Sequence, residues 1–331
     1  MDVFGSSTPT RNLALELARV TEAAALSAGR FMGRGDKPSA DQAAVTAMRL
    51  VLSTLDINGV IVIGEGEKDN APMLYNGERV GNGSGQDVDV AVDPIDGTRP
   101  LAFGRSSSLS TVAVAPRGTM FDPGPFVYMN KIAVGPEAKG KISIEMSITD
   151  NLKAIAAAMA KDVEDLTTII LERDRHKDMI AEIRRTGARI RLIPDGDVAA
   201  ALMTAWPNSG VDVLFGIGGT PEGVLAACAL RAMGGEIQGK LYARDDRELQ
   251  RGRAAGYDFE KVLTMDDLVS SEDVFFAATG ITDGELLQGV RYFGDGARTD
   301  SLVVRGLTGT VRQIIATHKM DKLHHLSGIK Y

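Results

Sequence analysis

The run TTIILERDRHKDMIAEIRRTGARIRLIPDGDVAAAL, residues 167–202, decides the fold class. Thr167–Leu171 is short, apolar and rich in β-branched residues, as a buried strand requires. Arg175–Thr186 reads as a helix, Ala188–Ile193 as a second strand and Val198–Ala205 as a second helix. Downstream, Val211–Phe215 and Glu222–Met233 continue the pattern. Strict alternation of strand and helix predicts an α/β layer with parallel strands. The connections after these strands are Glu172-Arg173-Asp174-Arg175, Pro194-Asp195-Gly196-Asp197 and Gly216-Ile217-Gly218-Gly219-Thr220-Pro221-Glu222. Open α/β sheets bind ligands outside the carboxyl ends of their strands, so all three are candidate binding segments. The glycine segment, read as a loop entering a helix, offers backbone N–H groups to an anion. It has neither the Lys-Ser/Thr of a Walker loop nor a clean dinucleotide fingerprint.

Before about residue 160 the periodicity is different. Residues 11–32 read as one long helix with Leu13, Leu17, Val20, Ala24 and Leu26 on one face, stopped by Gly33-Arg34-Gly35. Packing alone accounts for it. Ser39 and Gln42 form a capping-box pattern that opens a second helix. Asp41 then falls in the first turn, where the helix dipole favours a carboxylate. Gly59–Gly64 reads as a buried strand running into Glu65-Gly66-Glu67. The run DVDVAVDPIDGT, residues 87–98, alternates Val88, Val90 and Val92 with Asp87, Asp89 and Ala91, a strand pattern. Pro94 cannot donate to a ladder, so the strand is expected to end near Asp93, and Gly97 permits a sharp turn. Asp93 and Asp96 are left at the strand end, with the Thr98 hydroxyl just beyond. Hard cations such as Mg²⁺ and Mn²⁺ take oxygen ligands from rigid positions of this kind. One Asp-rich turn is ordinary surface, but two strands ending in carboxylates plus an acidic helix start are the elements of a metal cluster.

Further strands are expected at Thr111–Ala115, Tyr128–Val134 and Lys141–Ile144, followed by a helix at Thr149–Ala160. Residues 244–257 read as a charged, solvated helix, and Ser301–Val304 and Thr310–Thr317 as strands. His318, His324 and His325 lack metal-ligand spacing and read as a surface tail, while His176 follows two arginines. The chain has no fixed-period repeat and no low-complexity linker, so the domain boundary is soft. It is placed near residue 160, between an α+β half, 1–160, and an α/β half, 161–331.

With 331 residues the chain can bury two real cores. Its net charge, 37 − 44 = −7, gives no global support to a nucleic-acid partner. The single Cys228 excludes an intrachain disulfide and fits a reducing compartment. MDVFGSSTPTRN lacks the pattern of a signal peptide, and no run of about 18 apolar residues suggests a membrane span. A cytoplasmic protein is expected.

The segments GRGDKPSADQAAV, IVIGEGE, APMLYNGE, VDPIDGT, RHKDMIAEIR, IPDGDVAAAL and GIGGTPEGV, in this order, resemble the class II fructose-1,6-bisphosphatases over most of the chain. DPIDGT alone also resembles the wider lithium-sensitive, metal-dependent phosphatases, including inositol monophosphatases. The resemblance implies a layered α-β-α-β-α sugar-phosphatase fold in two halves. It implies that Asp41 and Glu65 bind one divalent metal and that Asp93, Asp96 and Glu222 bind a second, so two or more Mn²⁺ or Mg²⁺ ions. Asp96, Gly97 and Thr98 would receive the scissile phosphate. Tyr128, Arg173, Asp174 and Arg175 would contact substrate, with the arginines facing the distal phosphate. Asp195, Gly196, Asp197 and Gly219 would make further sugar-side contacts. Most metal ligands would therefore lie in the first half, and the distal-phosphate and sugar contacts plus Glu222 in the second. Related sequences often carry Glu at the place of Asp96 and Pro at the place of Asp174; a carboxylate at 174 is positioned to pair with an arginine and weaken its hold on phosphate.

The chemistry agrees with these residue types. Hydrolysis of a phosphomonoester needs charge neutralisation on the phosphoryl oxygens and a positioned water. Thr98 can orient that water while an acidic neighbour accepts its proton. No cysteine or histidine lies among the carboxylates, which argues against a thiol or phosphohistidine intermediate. The expected activity is gluconeogenic removal of the 1-phosphate of fructose 1,6-bisphosphate. Activity on sedoheptulose 1,7-bisphosphate as well is the close alternative, and a non-catalytic sugar-phosphate sensor the remote one. A homo-oligomer, dimer or tetramer, is expected, with a small sugar bisphosphate as partner.

Overall fold

The computed structural model describes residues 13–65, 73–124 and 126–327. Arg11, Gly66, Glu67, Ala71 and Pro72, which enter the expectations above, lie outside the described residues. The chain begins with α1 (Ala14–Ala28) and α2 (Lys37–Leu52). The cap of α2 is Asp36, whose side chain accepts the Ser39 amide at 3.1 Å, and Pro38 sits in the first turn, where its missing N–H loses nothing. Ser39 is therefore inside the helix, and Gln42 donates to Thr46 instead of closing a capping box. Asp41 consequently lies beyond the first turn, and the helix dipole no longer explains it.

The strands β1 (Ile57–Ile63), β2 (Arg79–Val80), β3 (Gln86–Asp96) and β4 (Leu109–Pro116) follow, with α3 (Thr98–Ala102) between the last two. β3 runs past Pro94 to Asp96. Its register against β4 shifts between Asp93 and Asp96, and this irregularity accommodates the missing donor. Next come β5 (Tyr128–Val134), α4 (Ile148–Met159), β6 (Thr167–Leu171), α5 (Lys177–Thr186), β7 (Arg189–Ile193), α6 (Asp197–Met203), β8 (Val213–Gly219), α7 (Thr220–Met233) and β9 (Glu236–Leu241). Lys141–Ile144 is not a strand. Side chains satisfy part of its backbone: Asn151 bonds Ser143, and Gln238 bonds Ile142 and Ile144. The chain ends with α8 (Asp246–Ala254), α9 (Met265–Leu268), β10 (Phe275–Gly280), β11 (Arg291–Phe293), β12 (Gly296–Arg305), β13 (Thr310–Lys319) and α10 (Met320–Ser327).

Two sheets result. The first runs β11-β12-β10-β4-β3-β1-β2, with β13 on β12, and the second runs β7-β6-β8-β5-β9. β6 is parallel to β7 and β8, as expected for the alternating strands, and β5, antiparallel to both β8 and β9, makes the sheet as a whole mixed. Alternating side chains divide the cores. Phe275 and Ala277 of β10 face α1 and α2, whereas Phe276 and Ala278 face α6 and α7. Met129 and Ala133 of β5 also face that central helix layer, and Ile132 and Val134 face α4 and α5. The order is helix, sheet, helix, sheet, helix, as expected. Sheet membership does not follow chain order about residue 160: β5 precedes that point and lies in the second sheet, and β10–β13 follow it and lie in the first.

Candidate active site

All three glycines of Gly216-Ile217-Gly218-Gly219 lie inside β8, in register with Lys131–Tyr128 of β5. The segment read as an anion-binding loop is thus a strand, and its missing side chains provide room. A Cβ on Gly216 would lie 3.2 Å from the His176 ring, one on Gly218 would meet Asp197 and the Lys131 ammonium, and one on Gly219 would overlap the Glu222 carboxylate. His176 is fully buried. Its Nδ1–H donates to Leu171 O at 2.7 Å, and its Nε2 accepts the Ile217 amide at 2.8 Å. Burial lowers its pKa, so the neutral ring clasps β6 to β8.

The acidic residues gather where β3, α2, α6 and α7 meet. Asp96 is buried, and its Oδ2 accepts the Ala199 amide in the first turn of α6 at 3.2 Å. Partly buried Asp93 accepts the Ile95 amide at 3.0 Å. The Thr98 hydroxyl lies 3.3 Å from both Asp41 Oδ1 and Ile95 O, and can donate to either. Gly97, at φ 91°, makes the turn, and the Ser108 hydroxyl clamps its carbonyl at 2.8 Å. Gly196, also left-handed at φ 88°, approaches Asp96 closely enough that a Cβ would lie 3.7 Å from Oδ2.

Burial is the first cause of every raised carboxyl here, and mutual repulsion adds to it. Asp93 is held well above the carboxylate range by burial, then by Asp96, Glu222 and Glu65. Asp96 is raised in the same way, by burial, Asp197 and Glu222. Glu222 is pushed up to about 7 by burial and Asp197, against the opposing pull of Lys131. Glu65, at the exposed end of β1, is also pushed up to about 7, by burial of its carboxyl and by Asp41. Asp41 is raised by burial and lowered by the Thr98 bond.

Glu222 Oε2 is enclosed and has no hydrogen-bond partner. A bare, enclosed carboxylate oxygen among other carboxylates fits a hard divalent cation. Among the described residues no three such groups already converge into a finished metal cage. Like charges repel until a cation compensates them.

A cavity of about 260 Å³ opens beside this cluster, lined in part by Tyr128, Arg173, Arg175, Asp195, Asp197 and Glu222. A larger one, about 730 Å³ around Trp206, contains none of the clustered acids, so size does not choose the site. Arg175 donates through Nε and one terminal nitrogen to Ile217 O, at 3.1 and 2.7 Å, and its guanidinium lies 5.3 Å from the Tyr128 ring centre. Arg173 lies 3.3 Å from Asp195 Oδ1. Asp174 pairs with neither arginine: its side chain is 94% exposed, bonds Lys177 at 2.9 Å and does not line the cavity.

The profile of the family described as bacterial fructose-1,6-bisphosphatase, glpX-encoded, matches residues 11–318. Fructose-1,6-bisphosphatase 1 class 2 of Escherichia coli K12 is 48% identical over 325 residues, covering 94% of this chain and 96% of the relative. The class 2 enzymes of E. coli O6:H1 and Shigella flexneri show the same identity and coverage. The chain belongs to the class 2 fructose-1,6-bisphosphatases.

In this bisphosphatase family member, sequence reasoning overlooked Lys131. Its ammonium is buried, 2.5 Å from Asp197 Oδ2 and 2.9 Å from the carbonyl of Gly219. The signal was available: Met129, Lys131 and Ala133 share the inward face of β5, and a lysine there requires a partner.

A bisphosphatase with such carboxyls should respond to pH in a definite direction. Glu222 and Glu65 titrate near 7 in the folded chain against 4.5 when unperturbed, so between these values the folded state binds more protons than the unfolded state. Metal-free stability should therefore be highest at the acid side of this window and fall as pH rises through it. Glu22, on the buried face of α1, is shifted to about 7 as well and contributes in the same sense. The expected result is a metal-free Tm lower by about 3 °C or more at pH ~8 than at pH ~5, a difference that Mn²⁺ diminishes. Calorimetry with and without the ion checks it, and a metal-free Tm rising with pH would contradict it.

Proposed function

We propose that this protein hydrolyses the 1-phosphate of fructose 1,6-bisphosphate to fructose 6-phosphate and phosphate, as a gluconeogenic enzyme. The observation that carries the reading is the Thr98–Asp41 pair beside the Asp93, Asp96 and Glu222 carboxylates, with Arg173 and Arg175 across the adjoining cavity. Two or more Mg²⁺ or Mn²⁺ ions would be held by Asp41, Glu65, Asp93, Asp96 and Glu222. When bound, they supply neutralising charge at the phosphoryl oxygens and acidify water.

The chain's own groups do the rest. The scissile phosphate is received at Asp96, Gly97 and Thr98. Thr98 Oγ1 accepts a hydrogen bond from the attacking water while donating its own proton toward Asp41, so proton flow has a path from water to carboxylate. The raised pKa of Asp41 suits it to receive that proton. Asp195, Gly196, Asp197 and Gly219 face the sugar, and Tyr128, Arg173 and Arg175 hold the distal phosphate. Asp174, which the resemblance also assigned to substrate, contributes at most from the solvent side.

Arg175 offers a direct test. The contact with Ile217 O uses one edge of its guanidinium, which leaves donors for phosphate. The distal phosphate does not react, so its contacts are similar in ground and transition states. Arg175→Ala should raise KM for the bisphosphate by about 10-fold or more, with a smaller change in kcat, because a charged hydrogen bond contributes roughly 1.5–3 kcal/mol. An unchanged ratio of kcat/KM between bisphosphate and sugar monophosphate would place the distal phosphate elsewhere.

Phosphate release with Mn²⁺ or Mg²⁺, against an EDTA control, tests the function itself. The substrates are fructose 1,6-bisphosphate, sedoheptulose 1,7-bisphosphate and inositol 1-phosphate. Release from both bisphosphates would identify a bifunctional enzyme, and binding without release a sensor. The reading also makes the protein a cytoplasmic homo-oligomer, dimer or tetramer, which light scattering checks. No helix among the described residues is long and apolar enough to cross a membrane.

A further inference from the structure

Lys131 is 3% exposed on the inward face of β5. Lysines are almost never buried to this degree unless paired. Its cross-strand neighbours are Gly216 on β8 and Gly239 on β9, so no side chain flanks it within the sheet. Gly218 is equally necessary, because a Cβ there would press on Lys131 Cε at 3.0 Å and on Nζ at 3.1 Å. Of the glycines read as an anion-binding loop, Gly218 thus makes room for a lysine side chain, while Gly216 and Gly219 make room for His176 and Glu222. Its ammonium lies 2.5 Å from Asp197 Oδ2, close but not aligned as a hydrogen bond, and donates to Gly219 O at 2.9 Å. Asp197 begins α6, and Gly219 immediately precedes α7, which carries Glu222. One cation therefore joins the starts of the two helices that present Asp197 and Glu222. Lys131 does not line the 260 Å³ cavity, so it acts through these groups and not on the substrate.

We propose that Lys131 is a positioning residue, a built-in cation that holds Asp197 toward the sugar and limits the attraction of the acidic cluster for divalent ions. The inference rests on the reading of those carboxylates as a divalent-ion site. Without the ammonium, Asp197 becomes an uncompensated carboxylate beside Asp96 and Glu222, and the more anionic cluster attracts cations more strongly. A lysine that only filled space would have the opposite signature, since its loss would slacken the cluster and weaken metal binding.

The experiment follows Mn²⁺ binding by thermal unfolding, together with kcat/KM, in the wild type, Lys131→Met, Asp197→Asn and the double variant. Lys131→Met should bind Mn²⁺ with a midpoint about 10-fold lower and lose about 100-fold in kcat/KM, because breaking a buried pair leaves a bare charge. In the Asp197→Asn background, Lys131→Met should move the Mn²⁺ midpoint less than about 3-fold, because the anion it balanced is gone. The double variant removes both members of a buried pair, a change that commonly preserves folding. Comparison with Asp197→Asn therefore keeps the test decisive even where Lys131→Met alone does not fold. An unchanged or weaker Mn²⁺ midpoint in Lys131→Met, or an equal effect with and without Asp197, overturns the proposal. A wild type that Mn²⁺ does not stabilise refutes the metal reading, and this inference with it.

Discussion

Asp93→Asn is expected to lower metal-dependent turnover by about 1,000-fold or more, since charge stabilisation by bound metal contributes several kcal/mol and each 1.36 kcal/mol is a decade in rate. The fold should persist. Asp93 sits at the register shift of β3, and among the described residues its Oδ1 accepts only the Ile95 amide, a bond that the Asn carbonyl can also accept. The strain at this position is electrostatic. Burial comes first and the charges of Asp96, Glu222 and Glu65 follow, so the metal-free chain already favours the protonated form that Asn imitates. Without metal, the Tm of the variant should equal or exceed that of the wild type. With Mn²⁺, wild type should gain more stability than the variant, because a ligand that binds the folded state raises Tm by mass action. Turnover near the wild-type value at saturating Mn²⁺ would remove Asp93 from the metal site.

The second large effect is expected at Thr98. Among the described residues of the cluster, its hydroxyl is the group that can accept a hydrogen bond from water and donate to Asp41 at the same time. Thr98→Ala should reduce kcat by about 100- to 1,000-fold, the range seen when one transition-state hydrogen-bonding group is removed. KM should change little, because the interaction belongs mainly to the transition state. Thr98→Ser keeps the oxygen and should retain part of the activity. The loss of the methyl frees the side chain to rotate, and the Asp41 and Ile95 acceptors, each 3.3 Å away, are the groups that would hold it. Equal inactivity of the Ser and Ala variants would argue that the hydroxyl has no such role.

Part of this molecule was legible from local pattern. The alternation of Thr167–Met233 identified strands and helices that are present within a few residues of their expected bounds. The carboxylates at the ends of β1 and β3 were visible for the same reason: periodicity marks a strand, and Gly97 marks where β3 turns, although the strand runs past Pro94 and not only to Asp93. Family resemblance extended that reading to Glu222 and the arginines, whose roles no spacing reveals.

Pairing partners were not legible, because they depend on contacts far apart in the chain. β5 resembles any buried strand in sequence, yet only its place between β8 and β9 makes the second sheet mixed. Gly216-Ile217-Gly218-Gly219 has the composition of a loop, and only the neighbouring His176, Lys131, Asp197 and Glu222 explain why a strand there must lack side chains. Ser39 and Asp36 are both competent helix caps, and the backbone geometry selected Asp36. Asp174 was as free in sequence to pair with Arg173 or Arg175 as with Lys177, and the turn into α5 pairs it with Lys177. By itself the sequence determined the order of the elements and the chemistry available at their ends, since these follow from local periodicity and turn residues. Tertiary structure alone decided which charges meet, because Lys131, Asp197 and Gly219 are brought within hydrogen-bond distance only when β5, α6 and β8 pack together.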